Sequence, residues 1–265
     1  FIDIAMDRGY DLICLRREKS KPVIEFDKTP TWITGQIDDD WQSYLNDCNI
    51  LVHLAACGVS PQEASRYEML KWNVMAPYNL ILNAIKCGIR KFLIIGTYSE
   101  YGKTANKYEF IPEDAALTPT TSYASTKSAF FQLVTALAHE EKLNLKYARL
   151  FSVYGDGQFD GNFWPMLKKA AVSGDDFRMT AGEQVRDFIE VSDAVNLLID
   201  QLNFSDTTPG NPLVKNIGTG NAKSLKEFAE YWWDKWNAKG QLIFGSKSYR
   251  ENEPMRFVPD LTNSK

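Results

Sequence analysis

The stretch KFLIIGTYSEYG, residues 91–102, decides the fold expected of this 265-residue chain. It is an apolar run of strand length that ends in a glycine followed by hydroxyl-bearing residues. Comparable apolar runs occur at 11–15, 50–54 and 144–150, and helical stretches occur at 39–46, 63–86 and 123–141. Apolar strands that alternate with amphipathic helices form a parallel sheet covered on both faces. The pattern therefore predicts an α/β chain with a doubly wound parallel sheet.

The pattern changes after Leu150, which predicts a second, smaller region. Glycines and prolines become frequent, and three tryptophans (232, 233 and 236) crowd one amphipathic helix. We expect a first domain over 1–155 and a smaller C-terminal α/β domain over 156–265, with segments near 186–203 and 213–220 returning to the first.

At the other end, residues 1–8 read as a helix that closes at Gly9, so a doubly wound fold needs a first strand and a glycine-rich turn before Phe1.

Composition and charge exclude several classes of function. The net charge is −4, so no basic surplus indicates a nucleic-acid partner. No apolar run approaches the roughly 20 residues of a membrane helix. The four cysteines form no C-x-x-C pair and there are two histidines, which argues against a metal site and against a Ser-His-Asp hydrolase. Free thiols are typical of a reducing compartment, so we expect a cytoplasmic protein.

The sequence YASTK at 123–127 places a tyrosine and a lysine on one face of a predicted helix. A lysine cation one turn away favours the phenolate, so we expect the pKa of Tyr123 to be lowered towards the working range of an acid–base group. Thr97 comes at the carboxyl end of a buried strand, where sites of parallel sheets lie. Its hydroxyl is therefore expected to hold the substrate oxygen that Tyr123 protonates.

These motifs resemble those of the extended short-chain dehydrogenase/reductases, the NAD-dependent epimerase/dehydratase family of nucleotide-sugar enzymes with a Rossmann-like fold. The resemblance covers nearly the whole chain, in order, through residues 51–56, 72–80, 95–102, 122–127, 149–155, 182–193, 216–220 and 249–253. Shorter segments at 56–59, 159–161, 179–188, 244–245 and 250–253 are similar to the paratose and abequose synthases, which reduce the 4-keto group of a CDP-linked deoxysugar.

The resemblance implies a role for each matching residue. Thr97, Tyr123 and Lys127 would be catalytic. The first domain would bind the dinucleotide, and its cofactor contacts would be Gln36, Ile37, Leu54, Ala55, Ala56, Asn73, Tyr123 and Lys127. The smaller domain would bind a nucleotide sugar, and the substrate contacts would be Tyr98, Ser99, Ser152, Asn162, Arg186, Arg250 and Glu253. Among these, Arg186 and Arg250 would grip the diphosphate, because guanidinium groups match phosphate oxygens.

Three departures from the family pattern bear on the reaction and on the cofactor. The dehydratases carry an Asp-Glu pair after the catalytic threonine, where this chain has Tyr98 and Ser99, so we argue against a 4,6-dehydratase. Ser152 replaces the usual asparagine, which puts that contact in doubt. The end of the second family strand carries Arg16 and Arg17 instead of an acidic residue, which favours NADP over NAD.

Three functions remain open at this point. NADP preference favours a 4-keto nucleotide-sugar reductase, because a reductase consumes NADPH. The alternative is a C4 epimerase with tightly held NAD, and a non-catalytic dinucleotide-binding sensor is the third candidate. The resemblance also implies a homodimer through the helices over 73–85 and 123–138, on whose outward faces we expect Tyr78, Ile81, Phe131 and Leu137.

Overall fold

The computed structural model describes residues 1–22, 25–249 and 254–262. The predicted substrate contacts Arg250 and Glu253 lie outside the described residues. The helices are α1 (Ile2–Asp7), α2 (Gln42–Leu45), α3 (Arg66–Leu70), α4 (Ala76–Lys86), α5 (Ser122–Glu141), α6 (Phe163–Ser173), α7 (Val191–Asp200) and α8 (Leu225–Lys235). The strands are β1 (Ile13–Arg16), β2 (Thr31–Thr34), β3 (Ile50–His53), β4 (Lys91–Thr97), β5 (Asn144–Leu150), β6 (Ser152–Tyr154), β7 (Phe177–Arg178), β8 (Val185–Glu190), β9 (Leu213–Ile217), β10 (Ala222–Ser224), β11 (Leu242–Ile243) and β12 (Arg256–Phe257).

The largest sheet has the order β3-β4-β5-β9, and all of its strands run parallel. β1 and β2 form a separate parallel pair. Parallel strands need crossover connections, and helices supply most of them here. The predicted α/β, Rossmann-like fold is therefore confirmed. Because the strands are parallel, β3, β4 and β5 end at the same edge of the sheet.

Successive residues of β4 explain why both faces of the sheet are covered. Side chains alternate along a strand, so Phe92 and Ile94 point to one face and Leu93 and Ile95 to the other. The first pair joins a core with α4 and α5, through Ile81, Ala84, Phe130 and Val134, and with Tyr147 of β5. The second pair joins a core with α1 and α7, through Ala5, Leu198 and Ile199. An all-apolar strand is what a sheet buried on both faces requires.

The later part of the chain builds smaller sheets. β8 lies at the centre of one, pairing antiparallel with β10 and parallel with β6 and β12. β7 pairs with β11, and α6 and α8 pack over this region. In contrast, β9 lies beside β5 in the large sheet, and α7 packs against α1. The division at 155/156 stays a prediction.

The residues expected on the outward faces of the helix pair need correction. Ile81 is 2% exposed and Leu137 is 5% exposed, and Tyr78 and Phe131 pack partly buried against the same core. The expectation was wrong because these positions of α4 and α5 face the sheet. Other large apolar residues are exposed on this helix pair and its preceding turns: Leu70, Met75 and Leu133.

Three further findings concern membrane spans, metal sites and cysteines. In the part of the chain that the structure describes, no helix is both long and apolar enough to cross a membrane. Within the same ranges, His, Cys, Asp and Glu residues do not gather in groups of three or more that could hold a metal ion. All four cysteines are free thiols.

Candidate active site

Thr97, Tyr123 and Lys127 meet at the carboxyl edge of the large sheet. Thr97 is the last residue of β4, and its side chain is hydrogen-bonded to Tyr123. Lys127 is one turn further along α5, is 2% exposed, and donates from Nζ to the carbonyl oxygen of Ile95 at 2.7 Å. Two elements distant in sequence thus bring together the three residues predicted to be catalytic.

Local hydrogen bonds hold Thr97 in place. Its Oγ1 accepts the backbone N–H of Ser99 at 3.3 Å and lies 2.9 Å from Ser99 Oγ. Its own N–H donates to Glu100 Oε1 at 2.9 Å, which completes a capping box at the start of the 3-10 turn Tyr98–Tyr101. A capping box satisfies donors at both ends of the turn, so the strand passes into the turn with the threonine fixed.

Glu100 is a central residue of this site that the sequence analysis missed. It is fully buried, and Oε1 also accepts the hydroxyl of Tyr147 at 2.9 Å. Oε2 accepts Nε of Arg149 at 3.0 Å, forming a buried ion pair. Arg149 in turn donates from Nη1 to Tyr101 at 3.1 Å. The Thr-x-x-Glu spacing of a capping box was the available sequence signal.

Gly96 makes room for this carboxylate. A Cβ at this position would lie 2.7 Å from Glu100 Oε1 and would collide with the Tyr147 ring. Position 96, which precedes Thr97, therefore requires glycine because Glu100 and Tyr147 approach closely behind the strand.

The pKa of Tyr123 is raised, which corrects the expectation that Lys127 lowers it. Burial disfavours the phenolate first, and the negative charge of Glu100 adds to the effect, with the hydrogen bond from Thr97 opposing both. The pKa of Lys127 is lowered to about 8 by burial, against the opposing influence of Glu100. Tyr123 is therefore held as a phenol near pH 7, so it carries a proton that a more basic oxygen can take.

His53 is a second buried ionisable group beside this site. It ends β3, packs edge-on against Phe130 with ring centroids 5.7 Å apart, and its Nε2 has no hydrogen-bond partner among the described residues. Burial, and then the neighbouring Lys127, lower its pKa to about 3. His53 is consequently neutral near pH 7 and adds no positive charge beside Lys127.

The two residues in place of a dehydratase acid pair have other contacts. Tyr98 packs its ring against Phe151 and Phe257, with centroids 5.6 and 4.7 Å apart. Ser99 contacts the Thr97 hydroxyl. Glu100 does place a carboxylate in the same turn, but it is buried and both of its oxygens are occupied, so a substrate does not reach it.

The predicted cofactor contacts lie along the same edge of the sheets. Leu54, Ala55 and Ala56 follow β3 and are exposed, and Gln36 and Ile37 follow β2. Arg16 ends β1 with its guanidinium 5.0 Å from the centroid of Trp32, and its buried Nε has no partner among the described residues. Arg17 is exposed and lies close enough to Cys57 for its charge to act on the pKa of the thiol, which it lowers against the larger effect of burial.

These residues fit a nicotinamide dinucleotide. Exposed side chains after β3, two of them alanines, let a ligand approach the backbone. The buried Nε of Arg16 is a hydrogen-bond donor without an acceptor among the described residues. Lys127 places an ammonium at the edge of the sheet. Lys127 and Tyr123 would face the nicotinamide ribose, whereas Arg16 and Arg17 would face the adenosine half. The contacts to the cofactor stay predictions.

Asn73 differs from the other predicted cofactor contacts, because its side chain is committed to the protein. It lies in the π-helical turn Lys71–Met75, is 1% exposed, and its Oδ1 accepts the N–H of Cys57 at 2.7 Å. Its Nδ2 donates to the Cys57 carbonyl at 2.9 Å and to Thr126 Oγ1 at 3.0 Å. Asn73 therefore ties the loop after β3 to α5.

The predicted substrate contacts are spread over the smaller sheets. Arg186 lies on β8, mostly buried, and donates to the carbonyl oxygens of Val185 and Pro254 at 2.9 and 2.8 Å. Ser152 begins β6 and is half-buried, and Asn162 is the residue before α6 and contributes no side-chain cap to it. Their contacts with a substrate stay predictions.

Comparison with known proteins places this geometry in a family. A CDP-abequose synthase of Salmonella muenchen is 27% identical over 252 residues, covering 93% of this chain and 80% of that protein. A UDP-N-acetyl-alpha-D-glucosaminuronate decarboxylase of Bacillus cytotoxicus is 30% identical over 200 residues, covering 70% and 59%. The fold is that of a UDP-N-acetylglucosamine 4-epimerase from Methanobrevibacter ruminantium M1, with a TM-score of 0.86, 21% identity, and coverage of 99% and 85%.

The family model described as the NAD dependent epimerase/dehydratase family matches residues 1–218, a range that holds Thr97, Tyr123 and Lys127. The resemblance read from the motifs is thereby confirmed. The chain belongs to the NAD dependent epimerase/dehydratase family.

Proposed function

We propose that this protein is an NADPH-dependent reductase that converts the 4-keto group of a nucleotide-linked deoxysugar to a hydroxyl. The observation that carries the proposal is the phenol of Tyr123, hydrogen-bonded to Thr97 and facing the charge of Glu100. Reduction of a ketone requires a group that gives up a proton, and this environment keeps the proton on Tyr123 until an oxygen of higher proton affinity forms. The similarity to CDP-abequose synthase supports the same reaction class.

The chain's own residues would act in the following way. The Thr97 hydroxyl would bind the substrate carbonyl oxygen beside Tyr123. A reduced nicotinamide dinucleotide, when bound, supplies the hydride for the carbonyl carbon. As the carbon–oxygen double bond becomes a single bond, the oxygen takes the proton of Tyr123. The ammonium of Lys127, one turn away, stabilises the phenolate that remains until solvent returns a proton.

The preference for NADPH is part of the proposal and rests on Arg16 and Arg17. A 2′-phosphate carries charge that a pair of guanidinium groups can match, whereas the ribose hydroxyl of NAD is usually bound by a carboxylate at this position. The Trp32 ring orders the Arg16 guanidinium by a cation–π contact. Arg16 is thus partly preorganised for an anionic ligand.

The test is NADPH oxidation by the purified protein, offered CDP-, dTDP- and GDP-linked 4-keto-6-deoxy sugars in turn. We expect consumption with one of them, and its loss in Tyr123→Phe but not in the control Tyr231→Phe, which changes an exposed tyrosine of α8. If none of the three is reduced by protein that binds a dinucleotide, the reductase proposal is wrong. A bound cofactor and turnover without added NADPH would favour the C4 epimerase.

We also propose that two copies pair through α4 and α5, on a face corrected by the structure. Met75 and Leu133 are large, apolar and exposed, and Ala129 and Ala136 are exposed small residues of α5 beside Leu133. Such an uncharged face permits close approach of helices. Sedimentation of Leu133→Glu against the unchanged protein tests the pairing, and a monomer in both cases contradicts it.

A further inference from the structure

Glu100 lies behind the reacting groups, in a part of the core that a substrate does not reach. It is 0% exposed, and its neighbours come from three elements: Thr97 at the end of β4, Tyr147 and Arg149 on β5, and Tyr123 and Lys127 on α5. Gly96 is the residue whose missing side chain gives it this space. A carboxylate so placed needs an explanation, because burying a charge costs free energy even when it is paired.

We propose that Glu100 is a positioning residue of the reaction, whose carboxylate fixes the backbone of Thr97 and places a negative charge behind Tyr123 and Lys127. This inference rests on the proposed reductase function for its catalytic meaning. The geometric part is direct: Oε1 accepts the Thr97 N–H, while the Thr97 hydroxyl is oriented by Ser99 and Tyr123. Loss of the carboxylate would free the turn that orients this hydroxyl.

The electrostatic part concerns the protonation state of Tyr123. Tyr123 faces the hydroxyl of Thr97, the phenol of Tyr98 and the charge of Glu100. A nearby negative charge favours the protonated form of both a phenol and an ammonium. Glu100 therefore keeps a proton on Tyr123, ready for delivery to an alkoxide, as reduction requires.

Lys127 completes the set of charged groups. It faces Glu100 on one side and His53 on another. The guanidinium of Arg149 on β5 is the positive partner of the Glu100 carboxylate, at 3.0 Å. Removing the charge at residue 100 should consequently lower the pH at which Tyr123 and Lys127 each lose a proton.

The experiment is an NMR titration of the full chain labelled with ¹³C at the lysine ε-carbon, with the Lys127 signal assigned through Lys127→Met. The pKa of Lys127 is about 8 with Glu100 in place. We expect Lys127 in Glu100→Gln to titrate about one pH unit or more below Lys127 of the unchanged protein. The matched control is Glu113→Gln, which removes the carboxylate of a residue whose backbone carbonyl oxygen also accepts a hydrogen bond from Arg149. It should leave the Lys127 titration unchanged. Equal midpoints in the unchanged protein and Glu100→Gln would overturn the proposal.

A second variant protects the test against misfolding. Glu100→Gln leaves Arg149 buried without its partner, so Glu100→Gln combined with Arg149→Met removes both charges, and it should show the same downward shift. The titration needs neither substrate nor cofactor, so its result stands whether or not the reductase assay succeeds. Turnover, where it is measured, gives a second readout. If Glu100 were purely structural, its substitution would change only the amount of folded enzyme. We expect instead that kcat of folded Glu100→Gln falls, that its pH profile moves to lower pH, and that Glu100→Asp recovers part of the loss.

Discussion

The two ends of the proposed cofactor cleft are built differently. At the proton-transfer end, comprising Thr97, Tyr123 and Lys127 with Glu100 and Arg149 behind them, the side chains that matter are half or fully buried and joined by hydrogen bonds. At the adenosine end, comprising Arg16, Arg17, Gln36 and residues 54–56, most side chains are exposed. The same residues therefore serve chemistry and stability at the first end, whereas different residues serve them at the second.

The largest effect is expected from Arg149→Met. This change leaves the Glu100 carboxylate buried without its ion-pair partner, so we expect the free energy of unfolding to fall by about 3–5 kcal/mol. Urea unfolding measures it. The control is Lys28→Met, which removes the exposed ion pair with Asp7 (3.0 Å) and should cost less than about 0.5 kcal/mol. Equal losses of unfolding free energy in the two variants would show that the buried ion pair matters no more to stability than the exposed one.

Gly96→Ala tests the space behind the active-site strand. The added methyl would meet Glu100 Oε1 and the Tyr147 ring, and neither can move freely in a packed core. We expect a loss of about 1–3 kcal/mol in unfolding free energy together with a fall in kcat, because the turn that holds Thr97 is displaced. An alanine variant with the stability and turnover of the unchanged protein would show that this end is not tightly built.

Lys127→Met is expected to stabilise the fold while it abolishes turnover. The pKa of Lys127 is about 8 in the folded chain, against 10.5 in its ordinary state, so burial of the ammonium costs stability at neutral pH. Methionine removes that cost but orphans the Ile95 carbonyl, which leaves a net gain of about 1–2 kcal/mol at pH 7.

The pH dependence of that gain checks its cause. Between about pH 8 and 10.5 the unfolded lysine binds more protons than the folded one, so the unchanged protein becomes more stable as the pH rises through this window. The advantage of Lys127→Met should narrow accordingly in thermal unfolding measured from pH 7 to 9.5. An advantage that is constant with pH would trace to packing instead of to the charge.

Features that depend on neighbouring residues in the sequence were predicted, whereas features that depend on contacts between distant elements were not. The alternation of buried runs and helices predicted the parallel sheet, and a strand end followed by a Y-x-x-x-K helix predicted Thr97, Tyr123 and Lys127, because both signals are local. The predicted direction of the Tyr123 pKa shift was wrong, since burial disfavours the phenolate most and the charge of Glu100, which comes from another element, adds to that effect. Ile81 was assigned to the wrong face because helical periodicity alone does not say which side meets the sheet.

Arg16→Met is expected to have the smallest effect on the stability of the fold. The same variant tests directly how the adenosine end binds its ligand. Arg16 is held over Trp32 by a contact that a methionine can partly replace, so we expect a change below about 0.5 kcal/mol in unfolding free energy. Affinity for NADPH should nevertheless fall by about tenfold, because a guanidinium that matches the 2′-phosphate is lost, while affinity for NADH stays nearly constant. Calorimetric titration with each dinucleotide measures both affinities.

Lys19→Met is the matched control for Arg16→Met, since it removes one positive charge from the exposed loop after β1. It should change the two affinities alike and only slightly, because long-range attraction to an exposed charge is screened by salt. A selective loss of NADPH binding in Arg16→Met alone would separate recognition from folding at this end. Equal losses for NADPH and NADH would instead assign Arg16 to a part of the dinucleotide that both share, and the NADPH preference would then have to rest on Arg17.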